Sequence, residues 1–135
     1  GIPNSMPAMI KAYRIQDKAR AVGFDWQERS QVWEKVKEEI GEFEYELKNE
    51  AEAGVEGGSG NRAEQEFGDL LFSLVNAARL YKINPDTALE QTNKKFISRF
   101  NYLEQKVKAK GMNLKDMTLE QMDILWNEAK GQNNG

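Results

Sequence analysis

The period of the apolar residues constrains this chain more than any other feature. Trp33, Val36, Ile40, Phe43 and Leu47 recur three and four apart. Phe67, Leu70, Leu71, Leu74, Val75 and Ala78 form a second, broader set, and Ala88, Leu89, Thr92, Phe96, Phe100, Leu103 and Val107 a third. At about 100° per residue, such spacing lays one stripe along an α-helix. No stretch alternates apolar and polar residues as a half-buried strand must. The chain therefore reads as all-α, a bundle of about four to five helices.

Turn residues set the predicted boundaries. A first helix over 6–22 opens with Pro7 in its N-terminal turn. Gly23-Phe24-Asp25-Trp26 breaks it as an aromatic loop. Helices over 30–53, 62–81 and 85–110 follow, the last closed by Gly111. Thr118-Leu119-Glu120-Gln121 has the form of a capping box and opens a final helix through Trp126 to Lys130. The glycine-rich segment 54–61 reads as a flexible connector, and 132–135 as a disordered tail.

Composition narrows the chemistry. The chain has 135 residues, 39% hydrophobic and 30% charged, which suits a single soluble domain over 1–131. Its core is small for so many helices, so completion by a second copy is expected. No run of about 18 apolar residues could span a membrane. The first residues carry no basic region ahead of an apolar stretch, so they do not read as a secretory signal. The chain begins at Gly1 without an initiator methionine, which reads as a fragment or a processed chain. Cysteine and histidine are both absent. Disulfides, thiol nucleophiles, Ser-His-Asp triads and the usual zinc sites are thereby excluded. The net charge of −3 argues against a nucleic-acid polymer as partner.

Two carboxylate pairs sit at helical spacing. Glu39 and Glu42, with Glu38 just before them, lie on the second predicted helix, and Glu66 and Asp69 on the third. Positions three apart share a face, so each pair points the same way beside an apolar stripe. Acidic groups converging at a core edge repel one another and lose hydration. A hard cation relieves both costs, and carboxylates alone suit magnesium, with manganese as a substitute. A solvated acidic face is the competing explanation in a chain with 22 Asp plus Glu. Gly41, between the acidic positions, either makes room for a ligand or another backbone or is a tolerated surface glycine.

Other residues fit a phosphorylated ligand. Lys95 and Arg99 lie one turn apart and can meet phosphate oxygens, with Asn93 and Lys94 as further donors; ordinary surface charge is the alternative. Trp26 and Trp126 can each stack on a base, and Trp126 can equally anchor the last helix in the core. Trp33 falls on the stripe and reads as core. Together these groups suit metal-assisted attack on a phosphoanhydride.

At this point the residues resemble a known family. Val36-Lys37-Glu38-Glu39-Ile40-Gly41-Glu42, followed by Glu64-Gln65-Glu66-Phe67-Gly68-Asp69-Leu70-Leu71-Phe72, is similar to the ExxE, spacer, ExxD signature of the MazG nucleoside triphosphate pyrophosphohydrolases. The segments 19–26 and 93–100 resemble the same family, and the likeness runs from Ile2 to Lys130. It is strongest to the C-terminal half of two-domain bacterial members, whose entering linker resembles 2–8. The glycine-rich spacer ahead of Arg62 is longer than usual for the family.

The resemblance implies an all-α dimer that hydrolyses a nucleoside triphosphate to the monophosphate and pyrophosphate in the cytoplasm. Carried over by motif, Glu39, Glu42, Glu66 and Asp69 would ligate magnesium. Glu38 would be a further ligand, or Glu38 or Glu39 would take the proton of the attacking water. Lys95 and Arg99 would bind the triphosphate, and Trp126 would lie near the nucleotide. A reading from another class is a catalytically silent helical dimer that serves as an interaction or regulatory module. A di-iron carboxylate bundle fits poorly, because its Glu-x-x-His ligands are missing.

Overall fold

A computed structural model describes residues 1–52 and 61–133. These residues form α1 (Ala8–Ala21), α2 (Gln31–Glu52), α3 (Asn61–Leu80), α4 (Pro85–Ala109), a single 3-10 turn at Leu114–Asp116, and α5 (Leu119–Asn133). No strand occurs among the described residues, so the protein is all-α. The connector read at 54–61 lies outside the described residues except for Asn61, which opens α3. Helix α5 continues past Lys130 to Asn133, because Gly131 costs a helix only about 1 kcal/mol and nothing there blocks it. The rest of the expected tail, 134–135, is likewise outside the described residues.

The chain divides into two compact units, Gly1–Asp86 and Thr87–Gly135. In the first, Val32 and Val36 of α2 pack on Ala77 of α3, with Leu70, Leu80 and Tyr81 around them. Farther along the pair, Phe43 meets Phe67 at 5.1 Å between ring centroids. Later residues of α2 thus meet earlier residues of α3, so the two helices run antiparallel. Helix α1 is tied to α3 by Gln16, whose Nε2 donates to the Phe72 carbonyl at 2.9 Å.

The helix ends explain the turns. After α1, Phe24 N–H donates to the Ala19 carbonyl and Gly23 N–H to that of Arg20, with Gly23 at φ 89°. This is the paired closure that needs a left-handed residue just past the helix. Lys82 occupies the equivalent position after α3 at φ 59°, where Ile83 N–H reaches Ala78 and Lys82 N–H reaches Arg79. A lysine there carries a steric cost that a glycine avoids.

The stripe of α2 splits in two. Val36 is buried, as is Val32, but Trp33, Ile40 and Leu47 remain 42%, 40% and 42% exposed. The expectation that Trp33 is core therefore holds only in part: its ring sits 5.8 Å from Tyr81, and its indole N–H donates to the Tyr81 hydroxyl at 3.1 Å. The physical reason is width. A stripe that occupies both flanks of a helix cannot be covered by one antiparallel neighbour. Helix α3 shows the same surplus, with Phe67, Leu71 and Leu74 exposed.

In the second unit Leu103 and Val107 of α4 and Leu125 of α5 form the core, bordered by Leu114, Met117, Met122 and Trp126. The capping box forms as read: Gln121 N–H donates to Thr118 Oγ1 at 3.1 Å, and Thr118 N–H donates to Gln121 Oε1 at 2.9 Å. Leu89, Phe96 and Phe100, on the earlier part of the α4 stripe, stay exposed.

Candidate metal centre and adjoining cavity

The antiparallel pairing of α2 and α3 brings the two acidic motifs to one place. Carboxylate oxygens of Glu38, Glu39 and Glu42 lie within 4.8 Å of one another, and so do those of Glu39, Glu66 and Asp69. Glu39 belongs to both sets and is buried to 5% exposure, an unusual position for a carboxylate. Its Oε1 accepts from the Lys35 ammonium at 2.9 Å, and Glu38 Oε1 lies 3.4 Å from the same nitrogen. Glu39 Oε2 and Glu66 Oε2 are buried with no hydrogen-bond partner among the described residues.

The electrostatics follow from this crowding. The Glu42 carboxyl is pushed above its usual range, chiefly by the charge of Glu39, with loss of hydration and the Glu66 charge adding to it. Lys35 is pushed up by its hydrogen bond to Glu39. One ammonium cannot balance the carboxylates gathered here, and two buried oxygens remain without donors. Oxygen-only ligands at this separation, with unspent lone pairs, fit a hard divalent cation. Glu38, Glu39, Glu42, Glu66 and Asp69 are the residues that could hold it.

A cavity of about 650 Å³ adjoins the cluster and has Lys35, Glu39 and Asp69 in its wall. Trp26 lines it together with Phe24 and Phe72. The loop that carries Trp26 is fastened by Asp25, which accepts from Arg79 at 2.6 Å and 3.2 Å in a forked pair. Arg79 also donates to Asn76 Oδ1 from Nη2 at 2.7 Å and from Nε at 3.2 Å. The guanidinium hydrogen bond holds the Asp25 carboxyl below its ordinary range, against the opposing effect of burial. Pairing at so little exposure requires this geometry, since a lone buried charge is costly.

The second unit holds the other residues singled out in the sequence. Lys95 is exposed on α4. The Arg99 guanidinium lies 6.0 Å from the Trp126 ring centre, and its Nε is buried without a partner among the described residues. Trp126 also packs on Phe96 at 5.1 Å and borders the core of its unit, so its anchoring role is seen directly.

Sequence reasoning missed Gln16, Asp25, Asn76 and Arg79 as parts of the cavity wall. Nothing local marks an arginine near the end of an apolar helix as the partner of an aspartate 54 positions earlier. Lys35 was legible in principle, being one helical turn before Glu39. Around Gly41 an added Cβ would meet nothing within 4 Å, so no neighbour among the described residues requires a glycine there.

Comparison with known proteins bears on the same residues. The family model described as the MazG nucleotide pyrophosphohydrolase domain matches residues 27–103, which contain both acidic motifs. The chain is 39% identical over 126 residues to a Thermotoga maritima protein named nucleoside triphosphate pyrophosphohydrolase/pyrophosphatase MazG, covering 93% of this chain and 45% of that protein. It is 40% identical over 131 residues to the nucleoside triphosphate pyrophosphohydrolase of Escherichia coli K12, covering 97% of this chain and 48% of that one. A 65-residue stretch is 62% identical to the uncharacterized protein YabN of Bacillus subtilis, covering 48% of this chain and 13% of that protein. The chain thus spans about half the length of the two pyrophosphohydrolases it resembles.

Proposed function

The chain belongs to the MazG nucleotide pyrophosphohydrolase family, and on that premise we propose that it hydrolyses nucleoside triphosphates to the monophosphate and pyrophosphate. The observation that carries the proposal is the carboxylate cluster, with the buried, unpartnered Glu39 Oε2 and Glu66 Oε2 at its centre. Glu39, Glu42, Glu66 and Asp69 are the proposed magnesium ligands. A bound divalent ion would supply charge neutralisation for the phosphates and a more acidic water. Glu38, an exposed carboxylate of its set, is proposed to accept a proton from water attacking the α-phosphorus, with Glu39 as the other candidate. Trp26 offers a ring face to the base from the cavity wall.

Lys95, Arg99 and Trp126 are assigned by motif alone. Arg99, with an unspent Nε–H, is suited to a phosphate oxygen, and Lys95 to a second one. Trp126 is assigned to the nucleotide in addition to its packing role.

A second copy is proposed to cover the apolar flank formed by Trp33, Ile40 and Leu47 with Phe67, Leu71 and Leu74. These side chains are each about two-fifths exposed or more, and exposed apolar residues clustered on neighbouring helices are a common mark of an association surface. No helix among the described residues is long and apolar enough to cross a membrane. A cytoplasmic role in clearing surplus or aberrant nucleotides is proposed from resemblance.

The test is pyrophosphate release from a panel of ribo- and deoxyribonucleoside triphosphates, with magnesium or with EDTA, the products separated by chromatography. Magnesium-dependent monophosphate plus pyrophosphate is the expected result. Diphosphate plus orthophosphate would place the attack at the γ-phosphorus and reject the proposal. No turnover by folded protein would favour the silent module.

A further inference from the structure

Asp69, Phe72, Ser73, Asn76 and Arg79 recur three and four apart on α3 and all line the cavity, so they form one ridge of that helix. From Asp69 to Arg79 the ridge runs about 15 Å at the rise of an α-helix. At its first end Asp69 shares a carboxylate set with Glu39 and Glu66. At its other end Arg79 reaches across to Asp25. Asp25 immediately precedes Trp26 in the chain, and Trp26 lines the same cavity.

The fastening at this end is directional. Four hydrogen bonds hold the Arg79 guanidinium: Nη1 and Nη2 donate to the two Asp25 carboxylate oxygens, and Nε and Nη2 donate to Asn76 Oδ1. Partners on two edges of a planar group fix its plane. The Asp25 carboxylate is fixed with it, and the Trp26 backbone N–H also favours the ionised form of that carboxylate. On the α1 side, the closure at Gly23 and Phe24 pins the start of the loop. The Arg79 side chain is 5% exposed and that of Asp25 16%, so solvent screens the fork little. A buried ion pair is seldom more stabilising than an apolar contact of the same shape, so stability alone is a poor reason for one here.

We propose that Asp25 and Arg79 are positioning residues that hold Trp26 in place for the nucleoside part of the substrate, at the end of the ridge away from the carboxylate cluster. Metal and phosphates engage the Asp69 end, and the base stacks on Trp26 at the Arg79 end. A ring already held in place gives up little freedom when a base stacks on it, so the fork acts on affinity through Trp26. Affinity for the nucleoside and affinity for the triphosphate are then set by different residues. This role presupposes the proposed use of the cavity for nucleoside triphosphates.

Inorganic tripolyphosphate, which carries no base, separates this role from a general loosening of the fold. Dissociation constants with magnesium are measured by calorimetry for tripolyphosphate and for the non-hydrolysable α,β-methylene analogues of ATP, GTP, CTP and UTP, the tightest-binding analogue serving as the nucleotide probe. Trp26→Ala should weaken the nucleotide about tenfold or more, the scale of a lost base–aromatic stack, and leave tripolyphosphate unchanged. Asp25→Asn, which breaks the ionic fork, should show the same selective loss at about threefold or more, and the double variant should bind no more weakly than Trp26→Ala alone, since both changes act on one contact. Arg79→Lys keeps the charge and loses the fork, so it should show the same selective loss even where Asp25→Asn does not fold. Unchanged nucleotide affinity in Trp26→Ala, or in the folded fork variants, overturns the inference, as does a wild type that binds none of the analogues. An equal loss for tripolyphosphate, or an additive loss in the double variant, also overturns it, because either marks a purely structural pair. Nucleotide-selective loss in a protein that releases no pyrophosphate would uphold the inference and reject the reaction. Magnesium-dependent release with Trp26→Ala binding nucleotide like the wild type would do the reverse.

Discussion

At the scale of single residues, crowding in the carboxylate cluster costs the folded protein stability. Glu42 has a folded pKa raised above its ordinary value, mainly by Glu39. An acid in that position binds its proton more readily in the folded state, so folding loses stability as pH rises from the unfolded pKa through the folded one. Glu42→Gln should therefore raise the melting temperature of the metal-free protein at neutral pH while abolishing pyrophosphate release. Asp69→Asn should abolish it too, with helicity by circular dichroism unchanged. Full activity in either variant would remove that residue from the proposed ligand set. Asp25 behaves in the opposite sense. Its pKa is lowered by Arg79, so its contribution is complete above the unfolded value of about 4 and is lost as pH falls through the lower folded value. Arg79→Ala leaves Asp25 uncompensated and should cost roughly 3 kcal/mol at neutral pH by denaturant titration. Asp25→Asn should flatten the loss of stability on acidification below about pH 4.

At the scale of helices, two positions test how far local rules hold. Gly41 sits inside α2 with open space where a Cβ would be. Gly41→Ala should stabilise the protein by about 1 kcal/mol with activity retained. A fall in activity would show that another body packs against that position. Lys82 closes α3 in a left-handed conformation, whereas glycines do so at Gly23 and Gly111. Lys82→Gly should gain about 1 kcal/mol and raise the melting temperature by a few degrees. The capping box at Thr118 and Gln121 formed as its spacing foretold, because both of its hydrogen bonds are local.

At the scale of the whole molecule, the proposal that a second copy covers the exposed apolar flank of α2 and α3 ties stability to association. If a second copy covers it, sedimentation should give a dimer, and the melting temperature should rise with protein concentration. Leu71→Lys, in the middle of that flank, should yield a monomer of lower stability. A wild-type monomer at millimolar concentration would reject this surface as the dimer contact.

The sequence by itself determined the helices, their order and the acidic motifs, because periodicity, caps and i to i+3 spacing are properties of neighbouring residues. Helix limits agree with it to within a few positions, and Glu38, Glu39, Glu42, Glu66 and Asp69 could be named from spacing. Only the tertiary structure decided that Glu39 is the buried member shared by both carboxylate sets, since that depends on how α3 lies against α2. It also decided that Trp33, Ile40 and Leu47 stay outside while Val32 and Val36 go in, because a single neighbour covers only one flank of a broad stripe. The cavity wall is the least local feature of all. Gln16 and Phe72, like Asp25 and Arg79, are separated by more than fifty residues, and only packing brings such groups within hydrogen-bond reach.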